Sequence, residues 1–101
     1  MQKPAAGASS EFRIYETNEF IKALKKLPSN ESAILERKLR NYVYPQLRVN
    51  PYIGLNIKKL KGYAPETWRY PIGDFRVFYH VDSKGRIVLL FALNDRRDAY
   101  K

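Results

Sequence analysis

The chain has 101 residues, 45% apolar and 14% aromatic, and its 19 Lys and Arg against 10 Asp and Glu give a formal charge of +9. That length suits one domain with a modest core, and the charge attracts polyanions at long range: nucleic acid is the leading partner class, a merely solvated cationic surface the plain alternative. The absence of cysteine excludes disulfides, thiolate catalysis and thiol-ligated zinc, and with no apolar run near the ~18 residues of a membrane span and no secretory segment, a cytoplasmic protein with no membrane contact is expected.

Residues 1–10, "MQKPAAGASS", are small, polar and proline-bearing, and are expected to form a flexible tail ahead of a single domain at 11–101. "FRIYE" alternates Phe12 and Ile14 against Arg13 and Tyr15, the pattern of a short strand. Thr17 or Asn18 can cap a helix in which Phe20, Ile21, Leu24 and Leu27 form one apolar stripe, ended by Pro28. Ser29 or Asn30 then caps a second helix with Ile34, Leu35, Leu39, Tyr42 and Val43 inward and Glu36, Arg37, Lys38 and Arg40 outward, which Pro45 stops or kinks. The short link around Pro28 folds the two helices into an antiparallel hairpin facing one sheet. "NPYIGLNIKKLKG", Asn50 to Gly62, reads as a loop with a cationic tip.

From Thr67 onward the pattern is β. Gly73 followed by Asp74 suits a type II′ hairpin and sets the pairs Ile72–Phe75, Pro71–Arg76, Tyr70–Val77, Arg69–Phe78 and Trp68–Tyr79. Alternation sends Trp68, Tyr70, Ile72, Phe75, Val77, Tyr79 and Val81 to the helix side, and Arg69, Arg76, Phe78 and His80 to the other. Pro71 lacks an N–H, so the strand carrying it is expected at a sheet edge. "DSKG" at Asp82–Gly85 is a second turn, and "RIVLLFAL", apolar on both faces, reads as a central strand. The expected class is α+β in the order β-α-α-β-β-β, a two-helix hairpin on one face of an antiparallel-rich, four-stranded sheet.

Three basic clusters can converge: Lys58, Lys59 and Lys61 before the hairpin, Arg69 and Arg76 on its open face, and Arg96 and Arg97 after the last strand with Tyr100 close behind. Strand directions bring the last strand's end to the Gly73 turn, so Arg69, Arg76, Arg96, Arg97 and Tyr100 are expected in one concave patch. Cations with aromatic rings suit a phosphodiester flanked by stackable bases. Against this stand a solvated strand face for the arginines, surface ion pairs for Arg96 and Arg97, and a solvated loop for the lysines. His80 lies about 13 Å along the strand from Arg76 and is read as a bystander. No Gly-rich phosphate loop, nucleophile elbow or metal-ligand spacing is present, so neither metal nor cofactor is expected. An RNA 2′-hydroxyl can attack its own phosphate without metal if cations stabilise the charge and some group moves protons.

The blocks "KKLKGYAPETWRYPIGDFRVFYHVD" and "RIVLLFALNDRRDAY", with the strand and helical hairpin before them, resemble the RelE/ParE toxin superfamily of type II toxin–antitoxin systems over about Phe12 to Tyr100. The resemblance implies two helices on an antiparallel-rich sheet whose concave open face is the active surface. In the RelE-like branch it implies a ribosome-dependent endoribonuclease, an mRNA interferase that cuts mRNA in the A site and is neutralised by a cognate antitoxin. Arg76 in "DFRVFY" then falls on the arginine that contacts the scissile phosphate, and Arg69 on a basic residue of the preceding strand. Arg96, or Arg97 in its place, matches the C-terminal basic residue, and Tyr100 the tyrosine that stacks on a base or assists proton transfer. Lys58, Lys59, Lys61, Arg97 and Phe78 are expected to contact RNA. A second strand lysine of the RelE-like enzymes falls on Pro71, which carries no proton, leaving the general base unassigned among Lys58, Lys59, Lys61, the ribosome and the substrate. The same resemblance admits a ParE-like inhibitor of DNA gyrase, or an inactive relative kept as a binding module.

Overall fold

The computed structural model describes residues 11–95. The expected tail at 1–10, and with it Arg96, Arg97 and Tyr100, lie outside the described residues. Strand β1, Arg13–Glu16, leads into helix α1, Asn18–Lys25, whose N-cap is Thr17: its hydroxyl accepts from the Phe20 N–H at 3.2 Å. Phe20 and Leu24 carry the apolar stripe into the core, and α1 packs on the strand at Ile87–Asp95.

Helix α2, Ser29–Lys38, departs from expectation at its start, because no side chain caps it. Pro28 occupies the cap position in extended conformation, and its carbonyl accepts the Ser32 N–H at 2.9 Å. Nor does Pro45 stop the helix. Leu39–Val43 form a π-helical turn in which the Tyr44 N–H reaches back to the Leu39 carbonyl, and helix α3, Tyr44–Val49, continues in the same helical conformation. The wider turn relieves the clash a proline ring would make with a carbonyl one α-turn behind it. The extra residue also shifts the buried face. Leu35, Leu39, Val43, Tyr44 and Leu47 point inward, while Tyr42 is 70% and Ile34 49% exposed, against the inward positions expected for both.

The sheet has five strands in the order β1-β5-β4-β3-β2. The added strand is β2, Lys58–Leu60, in the segment expected as a loop; the others are β3, Thr67–Ile72, β4, Phe75–Asp82, and β5, Ile87–Asp95. β5 is an interior strand, parallel to β1 and antiparallel to β4, and β4 is the middle strand of the five. The β3–β4 register matches the expected pairs, and Gly73 at φ +59° with Asp74 outside the positive-φ region fits the type II′ turn. β3 is flanked by β2 rather than being the sheet edge, yet β2 pairs only with Thr67, Trp68 and Arg69. Pro71 lies beyond that pairing, where its missing N–H leaves no ladder bond unmade.

Of the hairpin residues sorted to the helix side, Trp68, Tyr70, Ile72, Phe75, Val77 and Tyr79 are buried and Val81 is partly buried; Val88 and Leu90 of β5 join Val77 and Tyr79 at 0% exposure. Tyr79 donates its buried hydroxyl to the Pro51 carbonyl at 2.8 Å, and Tyr44 donates to a Glu16 carboxylate oxygen at 2.5 Å, tying α3 to β1. Burial pushes both phenol pKa values well up, and the Glu16 hydrogen bond adds to the shift at Tyr44. The folded state therefore holds these protons more tightly than the unfolded chain does. Their contribution to stability is complete below the ordinary tyrosine value of about 10 and is lost as pH rises beyond it. Urea titrations are expected to show a midpoint that falls above about pH 10, with Tyr44→Phe losing roughly 1–2 kcal/mol at neutral pH and showing a shallower alkaline fall; an unchanged midpoint at high pH contradicts this account.

Candidate functional site

Register decides which side chains stand together on the face of the sheet away from the helices. Lys58, Arg69 and Phe78 are direct partners across β2, β3 and β4, with Ala92 next on β5. Arg76 stands opposite Pro71 on one side and Asn94 on the other, one row nearer the Gly73 turn. Directly paired residues share a face, so Lys58, Arg69, Arg76 and Phe78 form one cationic and aromatic surface. Arg69, Arg76 and Phe78 are half-buried there. The Arg69 Nε is buried and, among the described residues, has no hydrogen-bond partner. A buried donor without an acceptor costs about 1–3 kcal/mol, which an anionic oxygen on this face relieves.

Alternation from the buried Val88 and Leu90 puts Phe91 on the open face of β5, and a bulge is centred on it. Phe78 pairs with Ala92 but Tyr79 pairs with Leu90, so Phe91 is the extra residue. Its ring stacks on His80 at 4.0 Å with planes 8° apart, and lies 6.5 Å from Phe78. Beyond the bulge, alternation is reversed: Leu93 packs against the core and Asn94 faces outward beside Arg76. Neither glycine nor proline marks the bulge in the sequence.

The sequence from residue 14 to 100 matches the family model described as the ParE toxin of type II toxin-antitoxin system, parDE. The chain belongs to the RelE/ParE toxin superfamily. It is similar to RelE in the archaeal RelE–RelB complex from Pyrococcus horikoshii OT3, with 26% identity, coverage of 85% of this chain and 96% of that one, and a TM-score of 0.63. The RelBE2 toxin–antitoxin complex from Mycobacterium tuberculosis gives 20% identity, 85% and 92% coverage and a TM-score of 0.67. For the intact E. coli RelBE complex the values are 21%, 83% and 95%, and 0.61. At those identities the last two show a shared fold. No curated protein matches the chain.

The lysines at 58, 59 and 61 are placed differently from one another. Lys58 is on the open face opposite Arg69, whereas Lys59 pairs with Trp68 and so lies on the helix side, where its Nζ meets Glu66 Oε2 at 3.1 Å. Glu66 Oε1 accepts from the Trp68 indole at 3.0 Å. These two hydrogen bonds hold the exposed Glu66 carboxyl below its ordinary pKa, Lys59 contributing most. Lys61 is exposed in the turn after β2. β5 ends at Asp95, paired with Phe75 beside the Gly73 turn. Among the described residues, no His, Cys, Asp and Glu group of three gathers as metal ligands, and no helix is long and apolar enough to cross a membrane.

If the open-face row meets phosphates, Arg69→Ala and Lys58→Ala each reduce the slope of log affinity against log salt for a single-stranded RNA oligonucleotide by about 0.7. Lys59→Ala, on the opposite face, leaves that slope in place. Fluorescence anisotropy across a salt series reads this directly, and equal losses from Lys59 and Lys58 sink the facial assignment.

Proposed function

We propose that this toxin is a ribosome-dependent endoribonuclease that cuts mRNA in the A site without a metal. The observation that carries the reading is the buried, unpartnered Nε of Arg69 within a row formed with Lys58 and Phe78 and flanked by Arg76. Guanidinium groups grip phosphate oxygens through forked donors and remain charged, so Arg69 and Arg76 stabilise the charge that builds as phosphorus gains a fifth oxygen. In the reaction, the 2′-oxygen forms a bond to phosphorus while the bond from phosphorus to the 5′-oxygen breaks. One proton leaves the 2′-hydroxyl and one reaches the departing oxygen, giving a cyclic phosphate and a 5′-hydroxyl. Phe78 and the ring of Phe91 offer stacking surface for the unpaired bases beside the break. We assign Arg96 or Arg97 and Tyr100 to the same site, the first as a further phosphate contact and the tyrosine as a base-stacking or proton-moving group.

The solved relatives include RelE–RelB complexes, and a cognate antitoxin is the partner proposed here, an acidic or amphipathic segment complementary to the +9 chain. A second reading has a specific observation behind it: the matching family model is that of ParE, which supports inhibition of DNA gyrase by protein contact. A gyrase binder has no need of a phosphate grip, and the open-face cations favour the nuclease.

Primer extension on translating ribosomes, run beside a supercoiling assay with purified gyrase, separates the two. Wild-type toxin is expected to leave cuts within A-site codons that fall at least about 10²-fold in rate with Arg76→Ala. Intact mRNA together with arrested supercoiling overturns the nuclease in favour of the gyrase inhibitor.

A further inference from the structure

The nuclease reading leaves the proton of the 2′-hydroxyl without a destination, since arginine stays protonated and Pro71 has no titratable group. His80 lies on the open face, and its hydrogen bonds settle which ring nitrogen carries hydrogen. Nδ1 lies 3.3 Å from Thr67 Oγ1 and 3.3 Å from the Glu66 carbonyl oxygen. Thr67 has one hydroxyl proton, donated to the Pro65 carbonyl at the shorter distance of 2.9 Å. Both neighbours of Nδ1 are therefore acceptors, so Nδ1 is the N–H of the neutral ring and Nε2 carries the lone pair. A partner fixed on one nitrogen in this way sets the tautomer and aims the other. The parallel stack on Phe91 at 4.0 Å holds the ring plane.

Distance from Arg76 along β4 is not the relevant measure, because Arg69 stands between the two. Arg69 pairs with Phe78, and Arg76 and His80 are the diagonal neighbours on either side of that pair. Diagonal positions across an antiparallel pair are within reach of long side chains. A phosphate held by Arg69 thus has a second guanidinium toward the Gly73 turn and an imidazole on its other side.

Resting on the nuclease reading, we infer that His80 is the catalytic base of the toxin. Its Nε2 takes the proton from the 2′-hydroxyl as that oxygen bonds to phosphorus; the 5′-oxygen departs with the electron pair of the broken bond and takes a proton from water, and His80 later returns its proton to solvent. The groups facing His80 are Arg69 on β3 with Lys58 beyond it on β2, Asp82 further along β4, the apolar Leu89 and Phe91 on β5, and Tyr15 beyond Leu89 on β1. Asp82 Oδ1 is occupied by the Lys84 and Gly85 amides of its turn, and the Glu66 carboxylate by Lys59 and Trp68. Of these groups, the imidazole is the one whose neutral form keeps a basic nitrogen with no hydrogen bond among the described residues.

The test is single-turnover cleavage of ribosome-bound mRNA across a pH series, with wild type, His80→Gln and His80→Gly, each checked for ribosome binding and thermal melting. Expected are a rate constant about 10²–10⁴-fold lower for His80→Gln with ribosome binding retained, loss of the acidic limb of the wild-type pH profile, and partial recovery of His80→Gly by added imidazole. Wild-type rate and pH profile in His80→Gln overturn the inference while the nuclease stands. A lower rate that keeps the pH profile and ignores imidazole makes His80 a structural residue and overturns it as well. No cutting by wild-type toxin at any pH removes both the inference and the reading beneath it.

Discussion

The register of the β3–β4 hairpin is the constraint on which both faces of the sheet depend. Gly73, with φ at +59°, closes the turn, and each pair back to Thr67 and His80 follows from it. Slipping one residue would turn either Arg69, or Arg76 and His80, under the helices and expose either Trp68 and Tyr70 or Val77 and Tyr79. Each large apolar side chain lost from the core costs about 1.5–3 kcal/mol, and an unpaired guanidinium driven inward costs several more. Turn chemistry and core burial therefore demand the same register. The cations reach the open face because the core leaves them no other place.

The strands around the hairpin tune that face without moving it. β2 is three residues long and supplies two lysines, the short and charged form in which sheet edges avoid pairing with other chains. Because consecutive strand residues alternate, its lysines go to different tasks. Lys58 joins Arg69 in front, while Lys59 holds Glu66, which in turn holds the Trp68 indole behind. An exposed pair of this kind is worth at most about 1 kcal/mol, so its effect is to orient Trp68 rather than to keep the fold. On the other side, the β5 bulge gives up one ladder position at Phe91 and turns Leu93 to the core and Asn94 outward beside Arg76.

Where the fold was legible in sequence, one periodicity ran long enough to be read. Phe20 with Leu24 sits at helical spacing behind the Thr17 cap, and the hairpin alternates cleanly on both sides of Gly73. What stayed hidden were single-residue events. The π turn at Leu39–Val43 adds a residue that exchanges Tyr42 for Tyr44 in the core, and no residue type announces it. β2 is too short to show alternation and exists through its pairing with Thr67, Trp68 and Arg69. The bulge at Phe91 lies within a uniformly apolar strand and reverses the faces of Leu93 and Asn94. The site followed the same rule: Arg69, Arg76 and Phe78 could be placed from the turn alone, while the separation of Lys58 from Lys59 needed the unseen strand.

A shared fold at 20–26% identity also explains why function cannot be read from the scaffold. The buried set of this sheet is fixed by packing, whereas a residue on the open face can change without disturbing the turn or the core. Chemistry is thus written in a few outward positions of β2 to β5. Under the proposed reading those positions divide their labour by charge state. Two guanidiniums, which do not give up protons, suit holding an anion through a reaction; an imidazole pinned at Nδ1 suits passing a proton on. Replacing either type by the other would change the formal charge by only one unit while exchanging an anion grip for a proton acceptor, so net charge alone is a poor guide to what a toxin of this superfamily does.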